Sequence, residues 1–363
     1  MYNRTAFINE IHGKNLKMLS KGRSSLRKEV FQLSDIYFET AYGQLYEKIE
    51  NGKCEVFHYI GEEGEVRHLY IKKEIPFRLE GEVYYDLVTP YGYGGPLIIR
   101  VKEAGKARLV EAFQRAFQEH CLEQNIICEF VRFHPILMNA EDFCDCYELT
   151  LQRYTTGTNL RDFENPIQAE FSKSKQKSIQ KALNAGVEYR ITQNPASLKG
   201  FKDIYERTMN RKEADAIYYF DDGYFDQLLR NLGQYILLVE VFYEGRVIGM
   251  SLNFAYGKLI HIHLSGTYFE YRHLSPAFVM RYALVLWGKG QGCEMIHEGG
   301  GKGRGLDDPL YLLKKQFGKN TDFNYYVSHK IWNPEIYSRL CHMQRVGETV
   351  QAFPAYRYAH TIS

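Results

Sequence analysis

The sequence predicts a mixed α/β (α+β) protein of two tandem domains, each a mostly antiparallel sheet flanked by helices. Three observations carry that expectation. Residues 235–297 read as three strands, a helix and a further strand, and a weaker copy of that order occupies 54–133. With 363 residues, the chain also exceeds what one ordinary hydrophobic core holds.

In the first copy, 54–60 and 68–72 are β-rich runs, with a turn between Gly61 and Gly64. Runs 83–88 and 97–100 bracket the aromatic-glycine loop Pro90-Tyr91-Gly92-Tyr93-Gly94-Gly95-Pro96. Leu109, Ala112, Phe113, Ala116, Phe117 and Cys121 have helical spacing over 107–124, and a strand over 126–133 follows. The polar stretch 155–159 and Pro166 mark 154–168 as the junction. A basic helix over 171–185 comes next and stops at Gly186.

In the second copy, strands 235–243, 247–256 and 259–264 are separated by the turns Glu244-Gly245 and Gly257-Lys258. A helix over 276–292 starts with Ser275 as N-cap and Pro276 at its first position. It leads to a strand over 293–297, the glycine cluster 299–305, and a helix start at Asp307-Asp308-Pro309. An antiparallel meander feeding a crossover helix and a parallel strand can splay open there, giving a cleft for an acyl carrier. A last strand over 323–331 and a helix over 334–340 close the pattern. The expected division is 1–153 and 154–322, with the tail 323–363 packing back on the first domain.

Composition narrows the function. The net charge of +2 leaves no basic footprint for DNA, so a nucleic acid would need a local patch. No apolar signal core opens the sequence and no run approaches a membrane span, so the expected location is cytoplasmic. Seven cysteines form no C-x-x-C pair, and Cys144 and Cys146 stand too close for a usual zinc knuckle; reduced thiols without a metal are expected. No nucleophile signature of the G-x-S-x-G kind occurs.

Several local features are candidates for the chemistry. Free N–H groups beyond Ser275, at Ala277 and onward, with Arg272 and His273, form a cradle for a phosphate or diphosphate. The glycine cluster removes side chains where a backbone must approach a substrate, which singles out Gly299, Gly300, Gly301 and Arg304. It does not fit the phosphate-binding pattern G-x-x-x-x-G-K-[ST]. Lys173, Lys177 and Lys181 form an i,i+4 stripe suited to tRNA or to a nucleotide diphosphate, or simply a solvated face. Leu310, Leu313 and Phe317 share one apolar face, leaving Lys314 or Lys315 exposed. Asp221, Asp222 and Glu298 are the acidic candidates for deprotonating an amine.

Taken in order, TPYGYGGP (89–96), VRFHPILMN (131–139), SKSKQKSIQKALNAGVEY (172–189), HLSGT (263–267) and the run from Gly299 to Gly318 resemble the Fem-type and BioF2-like branch of the GNAT acyltransferases. The resemblance spans roughly residues 30–320. It implies two GNAT-like domains, direct transfer of an acyl group to an amine, and acyl-CoA or aminoacyl-tRNA as co-substrate. Lys314 matches the family pattern of a substrate-contacting or carbonyl-polarising lysine. Arg211 falls near a family substrate-binding arginine, and Tyr218 joins it on the substrate side. Two departures stand out. The acetyl-CoA loop R/Q-x-x-G-x-G/A is replaced by 271–278, and the coiled-coil arm of the largest Fem enzymes is missing.

The expected reaction is transfer of an acyl group from a thioester to a primary amine of an amino-sugar or cell-envelope precursor. The acceptor is a small or nucleotide-linked molecule, or a lipid-linked one that brings peripheral membrane contact. Glu298 or His263 takes the proton, and backbone N–H groups of 251–254 or 264–266 hold the oxyanion. The alternatives are a compact aminoacyl-tRNA-dependent transferase acting on a peptidoglycan precursor, and a non-catalytic binding module.

Overall fold

The computed structural model describes residues 34–347 and 352–358. The strands in it are β1 (Lys53–Gly61), β2 (Gly64–Glu74), β3 (Tyr85–Val88), β4 (Gly95–Val101), β5 (Ile126–Arg132) and β6 (Thr150–Asn159), followed by β7 (Glu188–Gln193), β8 (Ile236–Tyr243), β9 (Arg246–Tyr256), β10 (Leu259–Thr267), β11 (Met295–Gly300) and β12 (Asp322–Ile331). They join into one sheet in the order β1-β2-β3-β5-β12-β6-β11-β10-β9-β8-β7, with β4 pairing with β2. The longer helices are α1 (Thr40–Leu45), α2 (Lys106–Glu123), α3 (Lys173–Asn184), α4 (Lys199–Arg211), α5 (Asp222–Leu232), α6 (Pro276–Gly290), α7 (Pro309–Lys315) and α8 (Pro334–Met343).

The two sequence copies occupy the two halves of the sheet. Each contains one parallel pair, β3 with β5 and β10 with β11, among antiparallel neighbours. This is the mixed, mostly antiparallel architecture expected. The tail strand β12 lies between the halves, antiparallel to both β5 and β6. The boundary placed at 153/154 falls inside β6, so 154–159 is a central strand rather than a linker. Its threonines are buried, but their hydroxyls are used. Thr156 donates to the Thr321 carbonyl at 2.7 Å and Thr158 to the Phe317 carbonyl at 2.7 Å, which removes the cost of burying them.

Local chemistry sets the strand lengths. Glu244 and Gly245 both take positive φ, 49° and 72°, the conformation that a two-residue hairpin turn needs between β8 and β9. Ser172 caps α3 through its hydroxyl, and Gly186 at φ 90° ends the turn beyond it. One face of the second half is covered by α3 and α6 over Val239, Val241, Ile248 and Ile260. The other is covered by α4, α5 and the early residues Ile36, Tyr37, Phe38 and Tyr42. A segment before the first strand therefore builds the core of the second half.

Two local expectations are corrected. Ser275 sits at φ 53° and its side chain makes no capping bond, so Pro276 starts α6 without a hydroxyl cap. Leu310 and Leu313 are 37% and 44% exposed; α7 is anchored instead by Tyr311 and, just beyond its end, Phe317.

Candidate active site

Strands β10 and β11 are in register over only three pairs, ending at His261 opposite His297. Beyond that point β10 stays with β9 and β11 stays with β6. Both strands break register at the parting, between Ile262 and Leu264 and between His297 and Gly299. The splay expected from the crossover is therefore present, and its walls are 262–267 and 298–300.

The chemistry-bearing groups gather on the β11 wall. Glu298 is buried, and its Oε2 accepts from Arg281 of α6, from Nε at 2.9 Å and Nη2 at 2.8 Å. Its Oε1 has no hydrogen-bond partner among the described residues. The Arg281 guanidinium also covers the Phe317 ring, 4.9 Å from its centre. From α7, Lys314 sends Nζ to the Gly300 carbonyl at 2.8 Å. Burial pushes its ammonium down to about 8, with Arg281 and Arg153 adding and Glu298 opposing. Arg153 donates from Nη1 to the Gly301 carbonyl at 2.6 Å.

Gly299 has φ 75°, and a Cβ there would stand 3.3 Å from Lys314 Nζ and 3.8 Å from the Tyr93 hydroxyl. Lys314, Tyr93 and the β11 backbone thus meet at one point. The glycine cluster is fixed by Asp308. One carboxylate oxygen accepts from the backbone of Lys302 at 3.1 Å and Gly303 at 2.7 Å, and the other caps Tyr311 at 2.8 Å. These N–H groups hold Asp308 below the usual carboxylate range. A β-branched residue at Gly301 would not leave this loop intact, because its Cβ would overlap Asp308 Oδ1.

The remaining sequence candidates lie in other settings. The Nε2 of His263 is 2.9 Å from the Tyr224 hydroxyl, and burial pushes its pKa down to about 3. Its ring packs on Phe254, in the aromatic core beneath α5. Asp221 caps α5 through Tyr224 N, and Asp222 pairs with Lys202. Strand β9 is paired on both sides through 251–254, so that stretch has no spare edge for an oxyanion.

At the start of α6, Arg272 and His273 are exposed, with Arg272 over Phe269 and His273 on the Glu270 carbonyl. The Ala277 carbonyl accepts from Arg281. Arg211 is exposed, donates to the Thr267 carbonyl and covers the other β10 end at Phe269. Tyr218 is half-buried and its carbonyl accepts from Tyr205. Arg304 is exposed, and its charge together with burial lowers the pKa of His329 on β12. Burial and then the charges of Arg211, Arg281 and Lys302 lower that of Lys212.

Sequence reasoning missed Asp35, Tyr93, His134, His261, Arg153 and Arg281. Asp35 Oδ2 accepts from His134 Nε2 at 2.8 Å and from His261 Nε2 at 2.7 Å, all three fully buried. These residues have the makeup of a metal site, but the bonding is against one. The Nδ1 of His134 accepts from Leu137 N at 3.1 Å, so its proton is on Nε2, where a metal would need a lone pair. A separate cavity of about 290 Å³, walled by Phe133, Ile136, Met295 and Phe323, includes neither Lys314 nor Glu298.

Residues 169–304 match the family model of the acetyltransferase (GNAT) domain. Among solved structures, the chain is similar to FemX at 14% identity and TM-score 0.64, over 84% of this chain and 94% of FemX. It is also similar to the C-terminal domain of a putative lysylphosphatidylglycerol synthetase from Agrobacterium fabrum, at 11% identity and TM-score 0.54 over 89% and 95% of the two chains. For L-PGS from Bacillus licheniformis the values are 13% and 0.50, over 86% and 98%. No protein of curated function matches significantly. The chain thus has a fold similar to that of FemX, in line with the resemblance of the ordered motifs, and its residues 169–304 match the acetyltransferase (GNAT) domain model.

Proposed function

We propose that this protein is an N-acyltransferase that moves an acyl group from acyl-CoA to a primary amine of an amino-sugar or cell-envelope precursor. The observation that carries the reading is the forked β10/β11 pair, with Lys314, Arg153 and the Glu298–Arg281 pair on one wall. The amine attacks the thioester carbonyl directly. Its C–N bond forms as the C–S bond breaks, and the carbonyl oxygen carries negative charge in between. Lys314 is the group best suited to that charge, since its ammonium is buried and, among the described residues, bonded to a single carbonyl. The exposed Arg211, Lys212 and Lys302 suit an acceptor bearing phosphate, as nucleotide-linked and lipid-linked precursors do. We assign one transferase module to each half of the sheet, with the fork in the second.

One observation favours a second donor. Lys173, Lys177 and Lys181 project from α3 beside α6, exposed and without an ion pair to any described residue. Such a stripe suits the phosphates of an aminoacyl-tRNA. Thermal unfolding with acetyl-CoA, a longer acyl-CoA and charged tRNA separates the readings. A ligand at one hundred times its Kd adds about 2.7 kcal/mol of stability. Stabilisation by charged tRNA alone replaces the CoA reading, and stabilisation by neither rejects both.

A further inference from the structure

We propose that Asp35 and His261 form the proton-accepting pair of the transfer reaction, with Asp35 positioning His261 and His261 receiving the proton. The inference rests on the acyl-transfer reading above and assigns a role that it leaves open. An attacking amine must lose a proton, and most bases near the fork are already committed. Glu298 keeps Oε1 open, but its charge is taken up by the ion pair with Arg281 through Oε2, and His263 is bonded to Tyr224. The Nε2 of His297 faces the Thr155 hydroxyl at 3.0 Å. His134 uses both nitrogens, one toward Leu137 and the other toward Asp35.

His261 differs. Its Nε2 hydrogen is fixed on Asp35, which leaves Nδ1 as a lone-pair acceptor, and that atom is buried without a partner among the described residues. An orphaned buried acceptor ordinarily costs about 1–3 kcal/mol, which calls for a reason to retain it. Its place supplies one, because His261 and His297 are the last paired residues before the strands part. Their rings meet edge-on at 5.4 Å. On the other side of His297 stands Tyr93 at 5.3 Å, whose hydroxyl reaches Gly299 beside Lys314. A line of polar rings thus joins the reacting wall to Asp35.

The step balances. The acceptor attacks as the neutral amine; as its C–N bond forms, the nitrogen gives up one proton, which ends on Nδ1 of His261. The imidazolium so formed lies against the Asp35 carboxylate, so the pair gains no net buried charge. When the C–S bond breaks, the proton returns to the leaving thiolate. The ionisable groups around His261 are Asp35 and Tyr37 before β1, His134 after β5, His297 on β11 and His263 on its own strand, with Lys314 of α7 acting on His297 beyond them.

The test compares two histidines that share one carboxylate. His261→Gln should lower kcat about a hundredfold with KM kept, as for loss of a general base, and should abolish the acid limb of the pH profile. Asp35→Asn should displace that limb. His134→Gln removes an equal bond to Asp35 but spares Nδ1 of His261, and should keep kcat within about threefold. An equal loss in His134→Gln and His261→Gln, at matched folded fractions, would show the triad to be a structural clasp and overturn the proposal. If His261→Gln does not fold, an unmoved acid limb in Asp35→Asn overturns it instead. Nitrogen-15 NMR of the wild-type histidines reads the pair without turnover, and a proton on Nδ1 of neutral His261 sinks it whatever the reaction. An NMR result as expected, with no transfer from any donor, rejects the acyl-transfer reading and the role with it.

Discussion

Replacing Lys314 with methionine keeps most of the side-chain stem and deletes the ammonium, which isolates its electrostatic part. The structure sets the scale. The Nζ has one hydrogen-bond acceptor, the Gly300 carbonyl, and its pKa is pushed from 10.5 down to about 8. That shift corresponds to about 3 kcal/mol by which the site disfavours the charged form. An oxyanion forming beside Nζ gives the charged form a partner, and one such contact has a scale of about 1.4–4 kcal/mol, or one to three orders of magnitude in rate. Steady-state kinetics with an acyl-CoA and an amine acceptor should therefore show kcat falling and KM holding. The pH profile gives a second reading. Above about 8 Lys314 loses its proton, so the wild-type rate should decline through that pH, and the decline should vanish in Lys314→Met. A raised KM with kcat unchanged would make Lys314 a phosphate anchor, and unchanged kinetics in both parameters would refute a catalytic role.

Further outcomes follow from the same wall. Glu298→Gln leaves the Arg281 guanidinium without its carboxylate in a buried site, so urea unfolding should show a loss of about 3 kcal/mol; a loss below about 1 kcal/mol would mean the pair is solvated in practice. Asp308→Ala removes the α7 cap and the anchor of the glycine loop, costing about 1–2 kcal/mol, and Gly301→Val should perturb the same loop, visible as shared amide shift changes over 299–311. If the two variants perturb different regions, the loop is not held by Asp308. His263→Phe should leave the pH profile between 5 and 9 unaltered, since that imidazole stays neutral throughout the range; a displaced limb would return His263 to the proton pathway.

Much of the architecture was legible because its signals are local. The Glu244-Gly245 and Gly257-Lys258 turns, the apolar spacing of α2, and Asp308-Pro309 at the start of α7 each depend on neighbours within a few residues. What failed was a polar segment whose partners are distant. The run Thr155-Thr156-Gly157-Thr158 reads as a linker, yet it crosses the middle of the sheet because its hydroxyls find carbonyls some 160 residues away. The leucines of α7 mislead in the opposite sense, since apolar spacing reports a face and not what covers it.

The site divides along the same line. Lys314, Glu298 and the glycines sit on consecutive elements, and their order in the chain nearly matches their meeting in space. The Asp35 triad has no such signature: His134 lies 99 residues and His261 226 residues from the carboxylate that joins them. Each histidine alone reads as an ordinary core residue, and Asp35 precedes the first strand, where little function is sought. Only the sheet topology explains the meeting. Strand β12 brings the β5 end beside β6 and β11, so the loop carrying His134 faces the fork, and the segment from Asp35 to Tyr42 fills the space between them. The carboxylate that binds both halves is thus at the point where β10 and β11 part, so changes at Asp35 should register in both stability and the acid side of the pH profile, while changes at Lys314 should register in kcat and on the alkaline side.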